Sequence, residues 1–308
     1  MNPIRPIESI LVGIDFSPSS RVALDDAVRI AFWSGSSVRA THVIDRSLTD
    51  DLRKLRRHNV AFARMTMHDI NADWAEFARG VNRGASVPFD VRIDDRTSGL
   101  LRSVENESAD LVVVGTQAAE SDRRRSDGIV SACIENSSAD VLVVRAARSG
   151  KFRRILAAID FSDASARVAQ QAVHFASQEG AQLIFVHLSE APWTGKIVPG
   201  PTIEGLAHHR AENAKLLRQR LVQLTQPWVE VMPAAKIEWR IEVDDEHRAG
   251  MSAIATEVDA DLVVLGARGP STMRDRLIGS TCERMLRHTQ SCVLAVKPSK
   301  VARTAEAA

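Results

Sequence analysis

Three glycines in the second half of the chain have the spacing of an anion-binding loop. Gly266 and Gly269 follow the apolar residues 262–265, and after nine further residues come Gly279 and Ser280. Glycine has no Cβ, so a ligand can approach its backbone N–H group closely, and such groups between a buried strand and a helix bind anions well. The spacing therefore predicts a site for an anion such as a nucleotide phosphate.

The segments around this loop occur twice in the chain. Residues 109–115, Ala-Asp-Leu-Val-Val-Val-Gly, nearly repeat residues 260–266, Ala-Asp-Leu-Val-Val-Leu-Gly, at a distance of 151 positions. A repeat of this length indicates an internal duplication. We therefore expect two similar domains, 1–148 and 151–300.

The first copy of the loop is degraded. Gly115 and Gly128 match Gly266 and Gly279, but Ala118 stands where the second copy has Gly269, and Ile129 stands where it has Ser280; all four pairs are 151 positions apart. The Cβ of alanine is expected to hinder a loop that needs close backbone approach or a positive φ. The sequence thus predicts one intact site in the second half and an eroded one in the first.

Each half alternates short apolar segments with longer segments of helical period. Apolar strands that alternate with helices indicate a parallel sheet covered on both faces, which is an α/β fold. The predicted strands are 10–14, 37–43, 87–93, 111–114 and 141–144 in the first half, and 155–159, 182–188, 236–241, 262–265 and 292–296 in the second.

The first helix of each half has the same apolar stripe and similar end signals. Ser17 with Pro18 is expected to start the first helix, with Ser162 and Asp163 as their counterparts, and glycines are expected to end both helices. The stripe is Leu24, Ala27, Val28 and Ala31, repeated 145 positions later as Ala169, Ala172, Val173 and Ala176, and the terminating glycines are Gly35 and Gly180.

The composition argues against several classes of partner. The chain has 308 residues, 44% of them hydrophobic, and its 40 basic and 39 acidic residues leave a net charge of +1. This balance predicts neither nucleic acid nor anionic membrane as a partner. The N-terminus lacks an apolar signal core, so we expect a cytoplasmic protein. Cys133, Cys282 and Cys292 lack metal-ligand spacing and are expected to be buried free thiols.

Doubly wound sheets bind ligands outside the carboxyl ends of their strands. Asp15 and Asp160 each follow the first strand of their half, in Ile-Asp-Phe-Ser, and would face the glycine loops. Together with the pattern G-x2-G-x9-G-[ST] at Gly266, these residues resemble the universal stress protein family in its tandem form. The resemblance spans nearly the whole chain, twice, and His-Val-Ile-Asp, which ends at Asp45, adds to it.

The resemblance implies an adenine nucleotide alpha hydrolase-like fold, with two five-stranded doubly wound sheets of strand order 3-2-1-4-5. It implies ATP as the ligand of the second half, with Mg²⁺ as an accompanying ion left open. Asp160 would contact the ribose and the backbone of Leu188 the adenine. The phosphates would be surrounded by Gly266, Gly269, Gly279, Ser280 and Thr281.

Structural alternatives stay open for several of these residues. Asp160 could serve only to cap the following helix, and Ser280 could form a capping box with Glu283. Arg268 and Arg274 could neutralise phosphate charge or stay solvated, and so could the basic run 123–125 in the first half.

Three functional classes follow from these observations. A binding protein whose ATP occupancy sets its conformation or partner surface in a stress response fits best, because the sequence offers no general base or magnesium carboxylate near the loop. The enzyme alternative is a weak ATPase or a nucleotidyl-transferring relative, and the third class is a scaffold without nucleotide.

The resemblance also implies that the last strands of the two halves, 141–144 and 292–296, pair in an intramolecular pseudo-dimer. A further homodimer stays open.

Overall fold

The computed structural model describes residues 6–47, 59–116, 120–147, 150–190, 203–244, 250–269 and 278–298. These residues form two compact units, one built from the first half of the chain with Cys292–Leu294 and the other from the rest of the second half.

The first half is a parallel sheet whose strands are connected by helices. Its sheet order is β3-β2-β1-β4-β5, and each neighbouring pair runs parallel. The elements are β1 (Ser9–Gly13), α1 (Pro18–Ser34), β2 (Ser37–Asp45), α2 (Asn59–Arg79), a 3₁₀ turn (Gly84–Ser86), β3 (Phe89–Asp94), α3 (Arg96–Asn106), β4 (Leu111–Thr116), α4 (Glu120–Asn136) and β5 (Asp140–Arg145).

The second half has the same arrangement, in the order β8-β7-β6-β9-β10. Its elements are β6 (Arg154–Ala158), α5 (Ser165–Glu179), β7 (Gln182–Glu190), α6 (Ile203–Val229), a 3₁₀ turn (Ala234–Lys236), β8 (Ile237–Asp244), α7 (Gly250–Glu257), β9 (Leu262–Gly266), α8 (Ser280–His288) and β10 (Cys292–Val296). The α/β class, the strand order 3-2-1-4-5 in each half and all ten predicted strands are confirmed.

The core lies on both faces of the central strands, as continuous apolar strands predict. Val112 and Val113 of β4 and Val263 and Val264 of β9 are fully buried. The predicted stripe on α5 is fully buried at every position, whereas on α1 only Leu24 and Ala27 are, with Val28 and Ala31 half-buried. Cys133, Cys282 and Cys292 are buried, as expected, and none of the three is in a disulfide.

The two first helices end alike but begin differently. Gly35 and Gly180 end them in the left-handed conformation, at φ of 73° and 70°. Ser17 is the N-cap of α1, where its side chain accepts a hydrogen bond from the Ser20 N–H group, and Pro18 follows as the first helical residue. The predicted start at Ser162 and Asp163 is wrong: the N-cap of α5 is Ala164, which has no hydrogen-bonding side chain.

Among the described helices, none is long and apolar enough to cross a membrane.

Candidate functional site

The carboxyl ends of β6 and β9 lie side by side in the second half. These strands pair in parallel, with Ile155 opposite Leu262 and Ala157 opposite Val264. Asp160 comes just after β6, and Gly266 is the last residue of β9. The sheet therefore brings together the acid and the glycine loop that the sequence predicts to share a site.

Two serines hold the carboxylate of Asp160. Its Oδ1 accepts hydrogen bonds from the N–H group of Ser162 at 2.9 Å, the hydroxyl of Ser162 at 2.6 Å and the hydroxyl of Ser165 at 2.8 Å. This is a local turn in which the side chain bonds the backbone two residues on, rather than a helix cap. All three hydrogen bonds end on Oδ1, so they orient the Asp160 carboxylate group and do not involve Oδ2.

The backbone next to Asp160 is strained in the same way in both halves. Phe161 has φ of 58° and its counterpart Phe16 has φ of 62°, in the left-handed region that bulky residues rarely adopt. Each phenyl ring contacts a histidine on the second strand: ring centroids are 4.5 Å apart for Phe161 and His187, and 5.0 Å for Phe16 and His42. The strained backbone directs the preceding aspartate toward the sheet edge. The ring contacts offset the energetic cost of this strain.

His187 also fixes this corner by a hydrogen bond. Its Nδ1 lies 2.7 Å from the carbonyl oxygen of Ile159, so Nδ1 carries the proton and donates. Burial lowers the pKa of His187 below the ordinary value of 6.5, which keeps the ring neutral. The guanidinium of Arg220 lies over the Phe161 ring, 4.2 Å from its centre. The corner that carries Asp160 is thus built from three side chains, those of Phe161, His187 and Arg220.

Of the three loop glycines, Gly269 is the one that faces Asp160. A Cβ built on Gly269 would lie 3.6 Å from Oδ2 of Asp160, an ordinary van der Waals distance. The absence of a side chain at position 269 therefore keeps open the space beside the carboxylate oxygen that the serines do not hold.

Gly266 and Gly279 are needed for backbone packing instead. A Cβ on Gly279 would lie 3.0 Å from the backbone nitrogen of Gly269, and one on Gly266 would lie 2.9 Å from the carbonyl oxygen of Arg268. The N–H group of Gly279 donates to Ala267 at 2.9 Å. None of the three glycines has a positive φ, so the expectation that the loop needs one is wrong. Close packing is the reason for glycine here.

Helix α8 starts immediately after this packed loop. Gly279 is the N-cap, and Ser280 and Thr281 are the first two helical residues, both exposed. The predicted capping box between Ser280 and Glu283 is wrong, because Ser280 is not the cap and the Glu283 carboxylate accepts from Arg287 at 2.7 Å. The first turn of α8 thus presents backbone N–H groups and two hydroxyl side chains at the same edge as Asp160.

The remaining predicted residues flank this edge. Ala158, the last residue of β6, pairs with Val186 of β7, and Leu188 lies two residues further along β7. Arg268 is exposed in the loop. Arg274 lies outside the described residues.

The first half has the same acid but a different loop region. Asp15 accepts hydrogen bonds from Ser17, and Gly115 packs so closely on the Ser19 backbone that a Cβ would collide with it. Helix α4, however, begins at Glu120, so Gly128 lies in the middle of a helix where Gly279 is an N-cap. The N–H groups within a helix bond to its own carbonyl groups. Ala118 and the side chains of 123–125 lie outside what the structure describes.

Ser162, Ser165 and Phe161 have roles at the site that the sequence analysis does not predict. Ser162 and Ser165 orient Asp160, and Phe161 and His187 form its corner. The signal was visible for the last two, since Asp-Phe-Ser and a histidine at the end of the second strand recur in both copies. The role of Ser165 had no such signal, because it depends on the later start of α5.

Comparison with known proteins agrees with this geometry. A family model described as the universal stress protein family matches residues 6–145 and again 151–297. A universal stress protein from Mycolicibacterium smegmatis is 26% identical over 305 residues, covering 94% of this chain and 97% of that protein.

Two solved structures share the fold along nearly the whole chain. One is a functionally unknown protein from Pseudomonas aeruginosa, at 17% identity and a TM-score of 0.62, with 99% of this chain and 98% of that chain covered. The other is a universal stress protein from Archaeoglobus fulgidus, at 17% identity and a TM-score of 0.60, with coverages of 95% and 97%. Since the family model matches both halves, the chain belongs to the universal stress protein family.

Proposed function

We propose that the second half binds an adenine nucleotide, with ATP as the primary ligand, at the edge formed by Asp160, the glycine loop and the start of α8. The observation that carries this proposal is the placement of Asp160 Oδ2 opposite Gly269, with a Cβ-free space between them. A carboxylate oxygen accepts hydrogen bonds from a sugar diol, and bare backbone beside it admits the phosphates.

Each neighbouring group has a role in this proposal. The first-turn N–H groups of α8 at Ser280 and Thr281 bind phosphate oxygens, supported by the helix dipole. Arg268 adds positive charge beside these phosphates. The backbone of Leu188, on the strand next to β6, contacts the adenine.

We assign the protein to the binding class rather than to the enzymes. Occupancy of the site favours the conformation that binds ATP best, and thereby changes the surface offered to a protein partner in a stress response. The same proposal places the protein in the cytoplasm, as two domains, 1–148 and 151–300, which pair through their last strands as an intramolecular pseudo-dimer.

Two other functions make different predictions. A weak ATPase or nucleotidyl-transferring enzyme would turn ATP over, and a scaffold without nucleotide would not respond to it. Binding to the native state alone stabilises a protein by RT ln(1 + [L]/Kd), which is about 2.7 kcal/mol at a hundredfold excess over Kd. Enzymes have a median turnover of about 10 per second. Stabilisation and turnover therefore separate the three classes.

The experiment measures thermal unfolding and phosphate release side by side, with ATP and Mg²⁺, for the wild type, Asp160→Ala and Asp15→Ala. We expect ATP to raise the melting temperature of the wild type and of Asp15→Ala but not of Asp160→Ala, with negligible phosphate release. Because one solved universal stress protein is a complex with cAMP, cAMP is a second probe. No rise with any adenine nucleotide would favour the scaffold, and turnover of several per second that depends on Asp160 would favour the enzyme.

A further inference from the structure

The corner beside Asp160 receives a contact from the long helix of the second half. The guanidinium of Arg220 on α6 lies over the Phe161 ring, 4.2 Å from its centre, and the ring of His187 contacts the same ring at 4.5 Å. A cation within about 6 Å of an aromatic ring centre is attracted by the ring. Arg220 itself is exposed, so this contact, rather than burial, keeps its guanidinium at the corner.

Arg220 lies where α6 leaves the core. Immediately after it, Leu221 and Thr225 are fully buried at a spacing of four residues, as on one packed face of a helix. Before it, none of residues 211–219 is buried. The contact with Phe161 therefore connects the site to the boundary between the packed and the exposed part of α6.

The corner of the first half is held differently. Phe16 has the same left-handed backbone as Phe161, but its ring contacts Phe77 of α2 at 5.5 Å and Phe89 of β3 at 6.2 Å. Phe77 is buried in the core, at 4% exposure. In the second half, the crossover helix instead contributes the exposed side chain of Arg220. The same strained corner is thus held by buried aromatic rings in one copy and by an exposed cation in the other.

The conformation of Phe161 decides the orientation of Asp160. Phe161 stands between Asp160 and Ser162, and both the N–H group and the hydroxyl of Ser162 donate to Oδ1 of Asp160. This turn requires the φ of 58° at Phe161. A bulky residue keeps such a φ only where its surroundings hold it. Loss of the ring contacts would therefore loosen the turn that orients the carboxylate.

We propose that Arg220 is a positioning residue of the second-half site, which acts by stacking on Phe161 and so maintains the turn in which Asp160 faces Gly269. The proposal rests on the nucleotide-binding function proposed above, because Asp160 transmits the effect to the ligand. Coupling between two sites is reciprocal. A nucleotide at Asp160 therefore favours in turn the position of α6 in which Arg220 lies on Phe161.

The first arm of the test uses the full chain without nucleotide. Burial lowers the pKa of His187, and the nearby charge of Arg220 lowers it further. Arg220→Ala should therefore raise the pKa of His187, read by NMR titration of its ring signals, which His187→Asn identifies by their loss. The matched control is Arg218→Ala, which removes the same charge two positions away on α6, about 200° around the helix. It should leave this pKa unchanged. An unchanged pKa in Arg220→Ala would overturn the proposal.

The second arm measures ATP affinity by calorimetric titration. Arg220→Ala should weaken ATP binding about threefold to fivefold, as expected for the loss of one exposed contact between a cation and a ring. Arg218→Ala should bind ATP like the wild type. Equal losses in the two variants would show an effect of net charge alone. That result, or wild-type affinity in Arg220→Ala, would overturn the proposal.

A further pair of variants distinguishes positioning from direct contact with the nucleotide. Glycine adopts the left-handed conformation without strain, so in a Phe161→Gly chain the turn no longer needs Arg220. Adding Arg220→Ala to this chain should cost no further ATP affinity. A second loss of threefold to fivefold there would show that Arg220 acts on the nucleotide itself, against the positioning role. If ATP fails to bind the wild type, the function proposed for the second half is wrong, whereas the pKa of His187 still decides whether Arg220 holds the corner.

Discussion

Asp160 and Gly269 face each other across the edge of the second sheet, at a distance such that a Cβ on Gly269 would lie 3.6 Å from Asp160 Oδ2. Ser162 and Ser165 donate hydrogen bonds to Oδ1, which is the inner oxygen of the carboxylate. Oδ2, which faces Gly269, is the outer oxygen. Position 269 thus controls access to the outer oxygen, whereas positions 266 and 279 control the packing of the loop.

This division predicts opposite results for two glycine substitutions. Gly269→Ala should leave the free energy of unfolding nearly unchanged, because its methyl group meets no backbone atom, and should weaken ATP binding about tenfold by filling the space beside Asp160. Gly279→Ala places its methyl group 3.0 Å from the Gly269 nitrogen, and should destabilise the fold by roughly 1 to 3 kcal/mol.

Urea unfolding and ATP titration of both variants check this contrast. Equal loss of stability in the two would show that Gly269 also serves packing. Unchanged ATP affinity in a folded Gly269→Ala chain would show that the space beside Asp160 is not part of the nucleotide site.

A third variant tests how Asp160 is oriented. Ser165→Ala removes the hydroxyl that donates to Asp160 Oδ1 at 2.8 Å, a bond worth about 0.5 to 1.5 kcal/mol. We expect a loss of ATP affinity of roughly threefold to tenfold, read by titration. An unaltered ATP affinity would mean that the turn at Ser162 orients Asp160 without help from Ser165.

The sequence predicted the elements of the fold better than the local geometry of the site. The duplicated apolar segments predict all ten strands. The rule for ligand sites in doubly wound sheets predicts that Asp160 faces the glycine loop. Those features depend on the burial of side chains, and burial leaves a periodic pattern in the sequence.

The errors concern positions where short-range alternatives compete. Ser162 has the residue type of an N-cap, but its hydroxyl bonds Asp160, and α5 starts later, at Ser165. Ser280 and Glu283 have capping-box spacing, but Gly279 takes the cap. In the first half, α4 begins at Glu120, whereas α8 of the second half begins at Ser280. The match of Gly128 to Gly279 in the sequence does not reveal this difference between the two helices. A local sequence signal shows that a residue type can cap a helix. It cannot show which of two available partners that residue bonds in the folded chain.

The early start of α4 leads to a prediction for the first half. Ile129→Ser with Val130→Thr restores the hydroxyl residues of the second half but leaves their N–H groups inside a helix. We therefore expect the double variant to bind no additional ATP in calorimetric titration. A second ATP per chain would show that side-chain hydroxyls, and not the helix start, decide between the two halves.

The corner at His187 predicts a dependence of stability on pH. Burial lowers the pKa of His187 in the folded chain below the ordinary 6.5, and it does the same for His174. The unfolded chain therefore binds protons first, so stability is fully present above about pH 6.5 and is lost as the pH falls toward the folded pKa. His187→Asn keeps a donor for the Ile159 carbonyl group and removes the titrating ring.

Urea unfolding between about pH 7.5 and about pH 5 measures this effect. We expect the wild type to lose stability as the pH falls and His187→Asn to lose less, with the remainder arising in part from His174. An identical pH dependence in the variant would show that protonation of His187 does not oppose folding.

The stoichiometry of ATP binding tests the central claim most directly. Calorimetric titration of the wild type should give one ATP per chain, because the second half combines Asp160, the loop glycines and the start of α8, while α4 removes the phosphate end of the first half. The same titration of Asp160→Ala should show that ATP binding is lost, and that of Asp15→Ala should still give one. Two ATP per chain, or one that survives Asp160→Ala and disappears in Asp15→Ala, would contradict this account.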